Sequence, residues 1–478
     1  MAIRLASLAL ASLGGAAIAL AQVAPGDDLP RSGGAATVLA GRAGVRCVVW
    51  RDATGERAAR ARRDDAWFRA LCARAPAGLL VVTVVAARAP APAAGASADC
   101  AAGTAEVGAH PACTVAGAAG PAWFADALDG VVVTDADGLV QFVGGVGAGL
   151  ADAIAAALAG GVDLAAARAA HACRLRFASW LDGPDGFVAG MLPDALAHAP
   201  HDGLLHALRW LLAAANDPPP AAAALAQASL RQLADDPRAL ATFSDHALRG
   251  ALAPHALAAL AAPALARAAA AAPDDVAVQI AAVRALGGAG EARAVGRLVV
   301  RARRLAADDP TACLDLAAAL VSQPEPAIYG DVAAALVDRA AVLGARPRWL
   351  AAARVAVAMR CRGDAATAQA VLDDYTVAEG AGTSRNNDCW RWLTDRSTFG
   401  CCEDFAIALA DRMVEDVAAL DYFECDTVAF ACLRAGRRAE AVAFAERAVA
   451  ASADAVPAYG ARLRWYRSEL GVAAAAPR

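Results

Sequence analysis

After Gly161 the sequence becomes a run of alanine-rich stretches. Each is long enough for several helical turns, and each ends at a short breaker such as Asp182-Gly183-Pro184, Pro218-Pro219-Pro220, Asp308-Asp309-Pro310 or Arg346-Pro347. Alanine is the strongest helix former, and helices joined by short connections pack antiparallel. No strand-like run interrupts the pattern, so residues 162–478 are expected to be helical hairpins laid side by side. Alanine also supplies most of the 58% hydrophobic fraction. Alanine inserts poorly into bilayers, and the most apolar later stretch, Ala251 to Pro273, is broken by Pro254, His255, Pro263 and Arg267.

At 478 residues the chain exceeds what one hydrophobic core supports, which calls for several domains or a repeat array. All 44 basic residues are arginine, dispersed among 49 acidic ones for a net charge of −5. We read the exclusive use of arginine as codon bias in a GC-rich genome. Nucleic-acid binders gather positive charge on a basic domain, so nucleic acid is excluded as an expected partner.

Residues 1–21 run from Arg4 through an apolar stretch, Leu5 to Ala21, and end in Ala19-Leu20-Ala21 before the polar, turn-rich segment from Gln22 to Gly34. A positive start, an apolar middle and a small-x-small end describe a secretory signal peptide. The alternative is a retained anchor, since the apolar stretch approaches the shortest spanning length. Cleavage is preferred because the polar segment follows directly, with residues 22–42 as a linker. The expected location is periplasmic or extracellular. Disulfides persist there, and the twelve cysteines then permit one or two bridges. Cys173, Cys313 and Cys432 sit at helix-core spacing and read as small buried apolar residues.

Residues 43–161 carry a different pattern. A strand candidate, Val45 to Trp50, precedes a helix from Asp64 to Arg74 and a second strand, Leu79 to Ala86, whose unbroken branched run implies burial on both faces. An irregular segment, Arg88 to Gly120, holds Cys100 and Cys113. Val131 to Val143 reads as a hairpin turning at Asp135-Ala136-Asp137-Gly138, and a helix with Leu150, Ile154 and Leu158 on one face stops at Gly160-Gly161. This order, βαβ then hairpin then helix, resembles the thioredoxin-like fold. The family's redox enzymes place Cys-x-x-Cys after the first strand and a cis-proline before the hairpin. Here those places hold Arg51-Asp52-Ala53-Thr54-Gly55 and Leu128-Asp129-Gly130. Lacking the low-pKa thiolate that exchange requires, the domain is expected to be a degenerate, binding version of the fold.

Cys100 and Cys113 flank His110 and are the candidate disulfide or redox pair: a loop-closing bridge is preferred, and an imidazole-activated thiol is the alternative. Gly145-Val146-Gly147-Ala148-Gly149 has the setting of a dinucleotide loop but follows the wrong strand and reads as a flexible turn. Asp135-x-Asp137-Gly138 resembles the start of a calcium loop, yet Val146 stands where the twelfth-position glutamate belongs.

In the helical remainder, Gly363, Gly400 and Gly436 are separated by 37 and 36 residues, near the tetratricopeptide period of about 34. Around Gly436, Ala429, Ala441 and Ala448 hold the small-residue positions where paired helices approach. Gly363 has Ala356 and Ala368 but Tyr375 in the third place, and Gly400 has Phe405 in the second. Asp421 to Ala450 resembles a terminal tetratricopeptide repeat, and Val276 to Arg304 a HEAT-type hairpin. The resemblances imply an α-solenoid, with residues 162–345 as HEAT-like hairpins and 346–478 as tetratricopeptide-like repeats, whose concave face takes a protein or peptide.

The remaining constellations read as structural. His198, His201, Asp202 and His206 are potential metal ligands, but Pro200 breaks their helical spacing and a surface turn is expected. Cys389, Cys401, Cys402 and Cys425 lack the paired knuckles of a zinc site. Trp349, Trp390 and Trp392 are expected to fill gaps between alanine-lined helices. No Gly-x-Ser-x-Gly, His-Glu-x-x-His or Gly-x-x-x-x-Gly-Lys motif occurs, so no catalytic, cofactor-binding or metal residue is assigned. The expected function is an exported interaction scaffold, with a thiol-disulfide oxidoreductase or redox-active chaperone as the alternative.

Overall fold

The structure is a computed structural model that describes residues 45–52, 79–86, 113–117, 131–135, 139–144, 147, 149–178, 186–216, 219–250, 254–379, 383–394, 403–414, 420–452, 460, 463, 464 and 467. The leader, the linker, the Asp64 to Arg74 helix, Cys100, His110, Gly400, Cys401 and Cys402 lie outside the described residues. Among those described, no helix is long and apolar enough to cross a membrane.

Five strands form one sheet: β1 (Val45–Asp52), β2 (Leu79–Ala86), β3 (Cys113–Gly117), β4 (Val131–Thr134) and β5 (Val140–Gly144), in the order β3-β2-β1-β4-β5. β2 lies parallel to β1 with Val45 opposite Leu79, and β3 parallel to β2 with Val81 opposite Cys113. β4 runs antiparallel to β1 and turns back into β5. Both hairpin strands are buried along their length, as an apolar run covered on two faces must be. Asp135 closes the turn: its Oδ1 accepts the Leu139 N–H and its Oδ2 the Gln141 amide, both at 2.9 Å. The hairpin expected at Val131 to Val143 is therefore present, with both carboxylate oxygens of Asp135 engaged inside it.

Seventeen α-helices follow among the described residues. After α1 (Leu150–Leu158) come α2 (Leu164–Ala178), α3 (Gly186–His198), α4 (Gly203–Asn216), α5 (Pro219–Gln232), α6 (Pro237–Gly250), α7 (Pro254–Ala271), α8 (Val276–Gly288) and α9 (Ala292–Ala306). The series continues with α10 (Pro310–Val321), α11 (Gly330–Val342), α12 (Pro347–Ala356), α13 (Ala365–Glu379), α14 (Thr383–Thr394), α15 (Glu403–Met413), α16 (Tyr422–Arg434) and α17 (Arg438–Ser452). α1 packs on β5, β1 and β4 through Leu150 and Ile154. Two compact units result. One gathers Met1–Leu175, Phe187–Ser244 and Ala264–Val278; the other gathers Arg176–Gly186, Asp245–Pro263 and Gln279–Arg478.

From α2 onward the helices fall along the chain into successive twos, each even-numbered helix the first; packing within a two joins α4 with α5 and, later, α10 with α11, α12 with α13, α14 with α15 and α16 with α17. The first helices begin at residues 164, 203, 237, 276, 310, 347, 383 and 422, at intervals of 34 to 39 residues. Five successive starts share one device: an aspartate immediately before the helix accepts two backbone N–H groups of the first turn. Asp163, Asp202, Asp236, Asp275 and Asp309 each do so through one oxygen at 2.9–3.2 Å. Such caps satisfy orphan donors and stabilise a helix by about 1 kcal/mol each.

In the second unit the pairs α10–α11, α12–α13, α14–α15 and α16–α17 pack as hairpins, and α9–α10, α11–α12 and α15–α16 join successive hairpins. First helices also touch one another, α10 with α12 and α14 with α16. The last hairpin shows why small residues are needed there. Ala429, Ala441 and Ala448 are all fully buried between the helices. Gly436, at φ 76°, ends α16 with the Arg437 N–H donating to the Cys432 carbonyl at 2.8 Å, a left-handed turn that glycine takes without strain. Gly363 turns the earlier hairpin in the same way, at φ 61°.

Candidate functional site

The densest buried polar grouping of the first unit surrounds the start of α4. Asp202 is fully buried; its Oδ1 caps α4, and its Oδ2 accepts from Arg174 Nε on α2 at 2.6 Å. The guanidinium carbon of Arg174 lies 4.9 Å from the centroid of the Phe142 ring on β5. The carboxylate thus holds two backbone donors and a cation, the arrangement that makes a buried charge tolerable.

The glycine-rich turn before α1 belongs to the same grouping. Gly203 N–H donates to the Gly147 carbonyl at 3.1 Å. Gly147, at φ 89°, comes so close to α6 that an added Cβ would stand 2.5 Å from Thr242 Oγ1 and 3.1 Å from the Arg238 carbonyl. The glycine at 147 is thus required by close backbone approach to a helix of the same unit, and what was expected as a flexible turn is a packed one.

The four potential ligands His198, His201, Asp202 and His206 do not converge. His206 Nε2 is 2.9 Å from the Pro200 carbonyl, which can only accept, so Nε2 carries the proton. Nδ1 then accepts from Ser229 Oγ on α5, also at 2.9 Å. A serine hydroxyl on an imidazole nitrogen is half of a nucleophilic dyad, but His206 and Ser229 are each 1% exposed. Sealed from solvent, the pair serves as a brace between α4, α5 and the preceding turn. Burial holds the His206 imidazole below its usual range, and burial followed by the nearby Arg174 charge does the same for His198. His201 reaches the other way: its Nδ1 and its backbone N–H both meet the Asp152 carboxylate of α1 at 2.8 Å. The expected surface turn is corrected in part: Asp202 and His206 are interior, held by Arg174 and Ser229, while the His201 side chain stays exposed. Among the described residues no three His, Cys, Asp or Glu side chains gather where a metal ion could be held.

The thiols follow burial. Cys173, Cys313 and Cys432 are interior, as their helical spacing implied. Desolvation pushes Cys173 and Cys432 up to about 11, and raises Cys361, Cys389 and Cys425 as well. Cys389 donates to the Ala406 carbonyl at 3.2 Å. Of the candidate pair, Cys113 opens β3 and Cys100 lies outside the described residues.

In the second unit, Trp392, Phe405 and Tyr375 form an interior cluster, with Trp349 beside Trp392 and Trp390 beside Phe430. Their burial matches the gap-filling role expected of the tryptophans. A second grouping escaped the sequence reading. Arg284 on α8 lies between Asp245 of α6, 2.9 Å away, and Ser322 at the end of α10, with Nη1 3.3 Å from its Oγ. Gln323 donates to the Ala319 carbonyl at 2.6 Å and fills the space above Gly287. Nothing local in the sequence marks this grouping; the aspartate caps, by contrast, are visible as an aspartate directly before Gly203, Pro237 and Pro310.

Compared with known proteins, the sequence matches no family model and no curated protein.

Proposed function

We propose that the chain is an exported scaffold that binds a protein or peptide along its first helices, as an α-solenoid of HEAT-like and tetratricopeptide-like hairpins. The observation that carries this reading is the recurrence of hairpins whose first helices start every 34 to 39 residues. In the second unit first helices touch one another between α10 and α12 and between α14 and α16, and α12 touches α15. Repeats joined in this way build a continuous surface from equivalent helices, and such surfaces recognise extended segments. The buried Ala429, Ala441 and Ala448 and the left-handed Gly436 support the tetratricopeptide-like reading of the last hairpin.

We further infer that the N-terminal sheet is a degenerate thioredoxin-like arrangement. Support comes from β2-β1-β4-β5, two parallel strands followed by an antiparallel hairpin and a helix packed upon it.

Site-specific photocrosslinking tests the reading. Crosslinkers replacing exposed Arg354 on α12 or Asn387 on α14 are expected to trap a common partner, whereas Asp338 on α11 or Asp374 on α13 yield none. Equal capture from both sets removes the first-helix assignment. Insulin reduction by the parent chain that disappears in Cys100→Ser replaces the scaffold by the thiol-disulfide reading.

A further inference from the structure

Among the described residues, one helix gathers arginines along its length. α9 carries Arg293, Arg297, Arg301, Arg303 and Arg304, all exposed, and no acidic residue within its length. At 100° per residue the first three and Arg304 fall within an arc of about 80°, along about 16 Å of helix. The opposite face, Val295, Val299, Ala302 and Ala306, is buried in the protein. Elsewhere in this unit arginines are matched with acids: Arg339 with Asp308, Arg360 with Asp404, Arg412 with Asp373, Arg434 with Glu403. Among the described residues no acidic side chain pairs with any of the five on α9.

Val300 stands about 20° beyond the edge of the arginine arc, one turn from Arg297 and Arg304, and is 59% exposed, although the helix has buried valines on its other side. Beside it, a Cβ at Gly296 would meet nothing within 4 Å. A row of unpaired guanidinium groups beside one apolar side chain and an open glycine offers charge-assisted pairing and a small apolar contact together.

We propose that the outer face of α9 is a docking surface for a short acidic segment of a partner protein, in which carboxylates flank an apolar residue seated on Val300. The surface is distinct from the first-helix row, since α9 is the second helix of its hairpin. Its ends define the length of the occupant. Glu291 stands directly before α9, makes no side-chain cap and is exposed, and Asp308, just past its end, has a side chain 90% exposed. These acids bound the positive row at about five residues of extended chain. They oppose a long polyanion, as does the net charge of −5. A bilayer gains only the charge term, because the apolar face that would insert is already covered by protein.

The test uses the full chain and a short fluorescein-labelled peptide in which Asp and Glu surround a leucine. Saturable binding is expected, weakening about tenfold in R297Q/R301Q/R304Q and a few fold in Val300→Asn. Raising salt to about 0.3 M weakens it further as screening shortens. Arg231→Gln, an exposed change on another helix, leaves binding intact, and matching thermal midpoints show that each variant is folded. The proposal is overturned if a peptide with Asn and Gln in place of the acids binds equally. It is overturned too if the triple variant binds unchanged, if no saturation is reached, or if an oligonucleotide or phosphatidylglycerol vesicles bind α9 in preference to the peptide.

Discussion

Tyr375 and Phe405 meet edge to face, with ring centroids 5.0 Å apart and planes at 81°. On the proposed tetratricopeptide-like register each stands where a small residue is expected, and the two large side chains pack on one another. The tyrosine hydroxyl donates to Asp388 Oδ2 at 2.7 Å, so the polar end of the larger side chain is satisfied at the margin of the core. Trp392 completes the group, its ring 4.6 Å from Phe405 and 5.9 Å from Tyr375.

Phe405→Ala is expected to destabilise the second unit by about 3–5 kcal/mol, since a fully buried ring is removed from a packed cluster. Tyr375→Phe is expected to cost about 1 kcal/mol for the lost hydrogen bond. Denaturant unfolding of both variants and of the double mutant measures the coupling; strict additivity would contradict direct packing of the two rings.

Arg174→Met strands a buried carboxylate and is expected to cost about 3–5 kcal/mol. Adding Asp202→Asn removes that charge while keeping an oxygen for the α4 cap. The double variant should therefore be more stable than Arg174→Met alone, a reversal visible as a higher thermal midpoint.

Acid should loosen the first unit through its histidines. The folded-state pKa values of His206 and His198 are lowered by burial, so below about pH 6.5 the unfolded chain binds more protons and stability falls with pH. Each group contributes a slope of at most about 1.4 kcal/mol per pH unit. Asp236 acts in the opposite sense: desolvation raises its carboxyl, which adds stability as pH falls toward its folded value. His206→Gln is expected to flatten the loss and Asp236→Asn to steepen it, as read from unfolding free energies between pH 7 and about pH 4.5. Parallel curves for parent and His206→Gln would exclude the imidazole as a contributor.

The helix caps differ in consequence. Asp163→Ala removes the exposed cap of α2, at about 1 kcal/mol. Asp275→Ala also deprives Arg238, 8% exposed, of the oxygen 2.8 Å from its Nε, and is expected to cost about 3 kcal/mol or more. Chemical denaturation that ranks the two equally would show that the buried arginine finds another acceptor.

Much of this architecture was legible in order and period. Alanine runs between breakers announced helices, branched runs announced strands, and Gly363 and Gly436 stand at the turns their spacing implied. What stayed hidden depends on the third dimension. Asp202 looked like a turn residue because its sequence neighbours are His201 and Gly203; only the packing of α2 brings Arg174, 28 residues earlier, onto its second oxygen. Gly147 read as slack because nothing local shows that α6 occupies the space a side chain would need. The Asp245, Arg284 and Ser322 grouping likewise joins three helices that the chain visits far apart. The aspartate caps are legible in the sequence as Asp before Gly or Pro, whereas glycine spacing marks only the C-terminal hairpins.

Those caps have a consequence for how a chain of this kind changes length. Asp163, Asp202, Asp236, Asp275 and Asp309 each start a helix by the same local chemistry, at alternating intervals of 39 and 34 residues. Excising residues 236–274 would set Asp275 directly where Asp236 had been, and the next helix would still begin with its first-turn amides satisfied. Initiation travels with each segment, so duplication or loss of a hairpin leaves every surviving helix able to start.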